Sequence, residues 1–159
     1  MEPRIETFPA TKLVGKRIKI SFADNKTSAL WQSFMPSARR AMANAAGAEF
    51  YSVEIYEPHF LDSFDAQKEF EKWAAVEAGN FESVPENFET LTIPEGLYAV
   101  FLHRGTAADG VKTYRYIFET WLPASGFALD ERPHFALMGK KYKTDDPDSE
   151  EEIWIPVKA

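Results

Sequence analysis

The stretch WQSFMPS at residues 31–37 returns in kind as FETWLPA at residues 118–124. Each runs aromatic, polar, polar, aromatic, long aliphatic, proline, small, and the two lie 87 positions apart. Upstream, IETFPATKLVGKRIKI (5–20) and FETLTIPEGLYAVFL (88–102) each carry Glu-Thr, a proline a few residues on, and then a β-rich run. Downstream, EFYSVEIY (49–56) and FALMGKKY (135–142) both read as strands and end in tyrosines 86 apart. FEKWAAVEA (70–78) and EEIWIPVKA (151–159) align at an offset of 81, with Trp73 against Trp154, Val76 against Val157 and Ala78 against Ala159. Trp31, Trp73, Trp121 and Trp154 all fall opposite a Trp or Phe in the other segment. The pattern points to one domain, 1–159, made of two copies of a unit, about 1–80 and 86–159.

Each copy reads as β-α-β-β. The first has a long strand over about 4–22, bent near Gly15, then a helix capped by Asn25, Thr27 or Ser28. Leu30, Phe34 and Ala38 recur on one face of that helix, and Pro36 ends or kinks it. Strands follow at about 49–56 and 69–78. The second copy has a strand at 89–102, a loop with Gly105 and Gly110, a helix at about 112–122, and strands at 134–142 and 151–158. Short loops favour antiparallel neighbours, so the class is α+β. The expected architecture is a mostly antiparallel sheet with two principal helices, a pseudo-two-fold relation, and a central groove where the halves meet.

Bulk properties narrow the function. A chain of 159 residues, 45% hydrophobic and 14% aromatic, has ample material for a packed interior. The net charge of −7 disfavours direct nucleic-acid binding, which depends on neutralising phosphates, and docking on anionic membranes. No apolar run approaches the ~20 residues of a membrane span. The N-terminus lacks a basic start followed by an apolar block, so a cytoplasmic setting is expected. The absence of cysteine removes disulfides and thiol chemistry, and three scattered histidines form no metal-ligand pair, so no cofactor or metal is expected.

Three segments carry a family resemblance: LTIPEGLYAVFLHRG (91–105), TWLPASGFALDERPHF (120–135) and PDSEEEIWIPVK (147–158). With them the chain resembles the GyrI-like small-molecule-binding domain, two SHS2-like modules in tandem, in a stand-alone form. The same domain is the effector-binding part of AraC- and MerR-type multidrug regulators. The resemblance implies a groove lined by aromatics, often with one acidic residue, that takes bulky and frequently cationic organic molecules. Relatives include a gyrase inhibitor and enzymes that open strained cyclopropane rings. The family commonly places a glutamate, with a tyrosine two residues on, in the strand after the second helix. Here those positions hold Ala136 and Met138, which speaks against that catalysis and weakens the preference for cations.

The candidate ligand-binding set is Tyr51, Glu54, Trp73, Tyr114, Phe118, Glu119, Met138 and Trp154. Strand alternation puts Phe50, Ser52 and Glu54 on the face that matches Ala136 and Met138, so Glu54 is either a groove carboxylate or a solvent-facing acid. Ile153, Ile155 and Val157 form an aliphatic core face, which leaves Trp154, with Trp73 as its mate, for stacking on a flat ligand or packing between sheets. Tyr114, Ile117, Phe118 and Trp121 form a helical core stripe whose end can border a pocket, with Glu119 beside it or in solvent. The preferred function is sequestering or sensing hydrophobic aromatic compounds. The alternatives are a hydrolase using Glu54 or Glu119 with a tyrosine, and a protein-interaction modulator whose acidic surface occupies a partner's basic DNA site.

Overall fold

A computed structural model of the protein describes residues 2–38, 45–63, 65–79, 84–139 and 147–159. In chain order it contains β1 (Arg4–Phe8), β2 (Thr11–Ile20), α1 (Thr27–Phe34) closed by a single turn (Met35–Ser37), and β3 (Ala45–Ile55). After a turn at Phe60–Asp62 come β4 (Phe70–Ala78), β5 (Glu89–Ile93) and β6 (Gly96–Arg104). Helix α2 (Ala107–Tyr116) passes through a wide π-type turn (Ile117–Trp121) into α3 (Leu122–Ser125), followed by β7 (Ala128–Leu129), β8 (His134–Met138) and β9 (Glu150–Lys158). Tyr142, expected to end a strand, lies outside the described residues.

Proline corrects two expected strands. The single strand of 4–22 is two, broken at Pro9, and that of 89–102 is two, broken at Pro94. Proline cannot donate to the ladder and its fixed φ turns the chain. Gly15 is not the break. It sits inside β2, paired to Ala75 on one side and Glu89 on the other. A Cβ there would lie 2.1 Å from the Ala74 carbonyl oxygen, so the close approach of β4 is what requires glycine.

The helix boundaries have equally local causes. The expected cap by Asn25, Thr27 or Ser28 is corrected: Lys26 holds the N-cap position of α1 without a side-chain cap. Asn25 Oδ1 instead accepts a hydrogen bond from the Thr27 amide at 3.0 Å in the turn before it, while Pro36 lies in the turn that ends that helix. The second helix starts earlier than expected because Thr106 and Asp109 form a reciprocal capping box, which carries Gly110 into the helix rather than a loop. Pro123 has no N–H for the carbonyl four residues back, and the backbone widens into the π turn just before it.

Among the described residues the strand order is β1-β6-β9-β8-β3-β4-β2-β5, with β7 paired to β9, and every pair is antiparallel. The centre is β8 against β3. Outward from it run β9 and β6 on one side and β4 and β2 on the other. Each flank then ends in a strand from the opposite half of the chain: β1 on β6, β5 on β2.

The sheet has two unlike faces. On one, a cross-strand row runs Arg4, Val100, Trp154, Phe135, Val53, Trp73, Arg17. Residues of one cross-strand row share a face. Its apolar members join Phe8, Leu13, Tyr51, Ile93 and Tyr98 in one buried cluster. Phe8 of β1 and Ile93 of β5, from opposite ends of the strand order, share that cluster because the sheet curls and closes this face on itself. The other face bears the helices. Leu30 and Phe34 of α1 pack on Val14, Ala74 and Val76. Tyr114, Ile117, Phe118 and Trp121 pack on Ala99, Phe101, Ile153, Ile155 and Val157.

Candidate functional site

Between the two helix-covered flanks, the helix-bearing face carries a seam floored by the central strands, where Ser52, His134, Ala136 and Met138 are buried. Cross-strand pairing places Phe50 against Met138, Ser52 against Ala136 and Glu54 against His134, all on this face. Aromatic rings lean over the floor from both sides. Trp31 meets Phe50 edge-on at 6.1 Å, Tyr56 meets His134 edge-on at 5.0 Å, and Phe118 lies 6.3 Å from His134. The sequence alternation that assigned Glu54 to the Ala136/Met138 face therefore describes this seam.

Its floor carries a buried ion pair. Lys72 Nζ lies 3.4 Å from Glu54 Oε2, and the two side chains retain only 10% and 12% exposure. That oxygen accepts no hydrogen bond among the described residues, so the lysine is near it without satisfying it. Burial pushes the Glu54 carboxyl above its usual range, against the pull of Lys72. Burial and the neighbouring Glu54 also raise the phenols of Tyr56 and Tyr114, so both stay protonated hydrogen-bond donors at neutral pH. The His134 imidazole is driven down to about 3 by burial and is a neutral ring there.

A cleft of about 390 Å³ borders the seam at Tyr56 and His134, which belong to its wall. Phe60, Leu61 and Leu129 supply its apolar part, and Glu57, Asp62, Asp130 and Glu131 outnumber Arg132 and Lys158. Arg132 is partly neutralised by Asp130 at 3.2 Å, and His59 pairs with Asp62 at 2.9 Å. The mouth therefore favours positive charge.

The expected site residues divide between the two faces. Glu54, Tyr114 and Phe118 lie at the His134 end of the seam, and Met138 lies toward its other end, paired with Phe50. Tyr51, Trp73 and Trp154 belong to the opposite, curled face and are 4%, 3% and 6% exposed. The expected stacking surface between the two indoles is corrected accordingly: β3 and β8 separate them, with Val53 and Phe135 between. Their role there is packing, the alternative the sequence left open. Glu119 is exposed on the outside of the π turn, which gives it the solvated reading. Sequence reasoning missed Lys72 and the 128–132 wall of the cleft. The signal for Lys72 was present, since strand alternation sets it on the same face as Ala74 and Val76, an odd place for an unpaired cation.

Comparison with known proteins agrees with this architecture. The chain is 25% identical over 162 residues to the transcriptional regulator BrlR of Pseudomonas aeruginosa, covering 99% of this chain and 56% of that protein, so it spans about half of that relative's length. Among solved structures, SAV2435 bound to tetraphenylphosphonium superposes with a TM-score of 0.79 at 20% identity, over 100% of this chain and 95% of the other. The EcmrR C-terminal domain gives 0.70 at 15% identity, over 99% and 97%. At those identities the likeness concerns the fold. The family match runs over residues 1–158, and by it the chain belongs to the GyrI-like small molecule binding domain family.

Proposed function

We propose that this domain binds bulky hydrophobic organic cations in the seam, entered from the acid-rich cleft, and that Glu54 supplies the counter-charge. The observation that carries this is the buried Glu54 Oε2, which accepts no well-formed hydrogen bond from the described residues and has Lys72 Nζ at 3.4 Å. A carboxylate in that setting costs free energy unless a positive partner completes it. Ring faces around it attract a cation directly, and a delocalised organic cation surrenders little hydration on entry. Tyr114, Phe118, Tyr56 and Met138 supply apolar contact, and Met138 adapts to varied shapes. Binding here sequesters or senses such compounds. The tetraphenylphosphonium bound to SAV2435, a protein of the same fold, supports that ligand class.

Titration calorimetry with tetraphenylphosphonium tests the reading. Binding should fall at least tenfold in Glu54→Gln, whose fold is checked by circular dichroism. Unchanged affinity in that variant would remove Glu54 from the site, and no binding by the unsubstituted protein would end the proposal.

A second reading rests on the same carboxylate. A glutamate held above its ordinary range beside Tyr56 and Tyr114 also suits proton transfer, as in hydrolysis of strained rings. Turnover of a cyclopropane electrophile, lost in Glu54→Gln, would support it. The absence of turnover by the unsubstituted protein leaves binding as the function.

A further inference from the structure

We infer that Lys72 is a built-in competitor for the ligand's positive charge, occupying Glu54 until an organic cation displaces it. The inference rests on the cation-binding reading above and adds an occupant to that site.

The geometry is specific. Glu54 and Lys72 face each other in the β3–β4 register, so the ammonium is delivered to the carboxylate by backbone pairing. The contact is long, at 3.4 Å, and Oε2 accepts no well-formed hydrogen bond from the described residues. A buried pair of this kind gains little net stability, because desolvation offsets most of the attraction. The exchange is asymmetric. An ammonium is a compact, strongly hydrated ion on a flexible four-carbon stem, and it recovers that hydration when it swings into water. A lipophilic cation has little hydration to lose on taking its place. The charge balance points the same way. Glu151 feels Lys72 as well, after the larger pull of His103, and Glu54 feels Glu151, so Lys72 is shared between two carboxylates and is held outright by neither. Lys72 would thus set a threshold: weakly hydrated cations displace it, whereas small hydrated cations do not.

The test compares two ions of the same shape and opposite charge, tetraphenylphosphonium and tetraphenylborate, by calorimetry on the full chain. Lys72→Met should tighten tetraphenylphosphonium at least tenfold and leave tetraphenylborate no tighter. The double variant with Glu54→Gln should lose the gain. Equal tightening of both ions would mean that Lys72→Met merely makes the site greasier, and it would overturn the inference. So would unchanged or weaker phosphonium binding. Should Lys72→Met fail to fold, Lys72→Gln repeats the comparison, and a measurement on the unsubstituted protein stands independently. Reductive methylation of the Lys72 amine should speed up when tetraphenylphosphonium is added, and protection of that amine would refute displacement. Phosphonium binding that Glu54→Gln weakens but Lys72→Met does not strengthen defeats this inference alone. Binding by neither the unsubstituted protein nor the Lys72 variants defeats it together with the function proposed above.

Discussion

Trp73 and Trp154 share one cross-strand row with β3 and β8 between them, and each indole nitrogen donates to the glutamate two residues earlier, Glu71 and Glu152. Each glutamate in turn holds the arginine at its end of the row, Arg17 and Arg4. The two ends of the curled face are thus braced alike, and Trp154 also stacks on Phe135 at 5.3 Å with 14° between the rings.

These indoles should matter for stability and little for ligands. Trp154→Ala is expected to cost about 3–5 kcal/mol in chemical denaturation, the range for deleting a buried aromatic. Trp154→Phe, which keeps a ring against Phe135, should bind tetraphenylphosphonium like the unsubstituted protein. A large loss of affinity in a well-folded Trp154→Phe would return that residue to the site.

Gly15→Ala should destabilise the fold. The new methyl would meet the Ala74 carbonyl oxygen at 2.1 Å, and backbone cannot rotate away as a side chain can. A loss on the order of 3 kcal/mol, at the upper end of overpacking costs, is expected from urea unfolding. Unchanged stability would mean that β2 and β4 are not this close.

Thr106→Ala removes one half of the capping box that starts α2. The expected cost is about 1 kcal/mol in thermal or urea unfolding. Amide exchange should speed up at Asp109 and Gly110, whose amide hydrogens point to Thr106. Exchange that rises elsewhere and not there would contradict the assignment.

His134 gives the protein an acid sensitivity of known sign. Its folded-state pKa of about 3 lies below the ordinary 6.5 of a solvated imidazole. The unfolded chain therefore takes up this proton first, and stability contributed by the neutral ring is lost as pH falls from about 6.5 toward 3, by up to about 1.4 kcal/mol per unit. His134→Phe keeps the ring contacts with Tyr56 and Phe118 and should flatten the pH dependence of stability in that window. An unaltered slope would show that His134 is not the group responsible.

Much of this fold can be read from periodicity. The alternation in β3 placed Glu54 on the face of Ala136 and Met138, and the pairing of Ser52 with Ala136 follows it. The stripe from Tyr114 to Trp121 packs as one face even though a π turn interrupts the helix. What sequence did not reveal are the features that depend on tertiary closure. Alternation puts Trp73 and Trp154 off the helix-bearing face, but only the curl of the sheet shows that the other face is sealed too. Likewise the Glu54–Lys72 pair joins residues whose partnership is set by strand register, and no local pattern specifies that.

The crossing of β1 onto β6 and of β5 onto β2 has a consequence for how the chain can come apart. A peptide ending after β4 would carry β1 with its dock missing, and the remainder would carry β5 in the same predicament. The halves clasp one another, so unfolding should be a single concerted event and neither piece should survive as a miniature receptor. A ligand bound as proposed would then tighten the whole clasp at once.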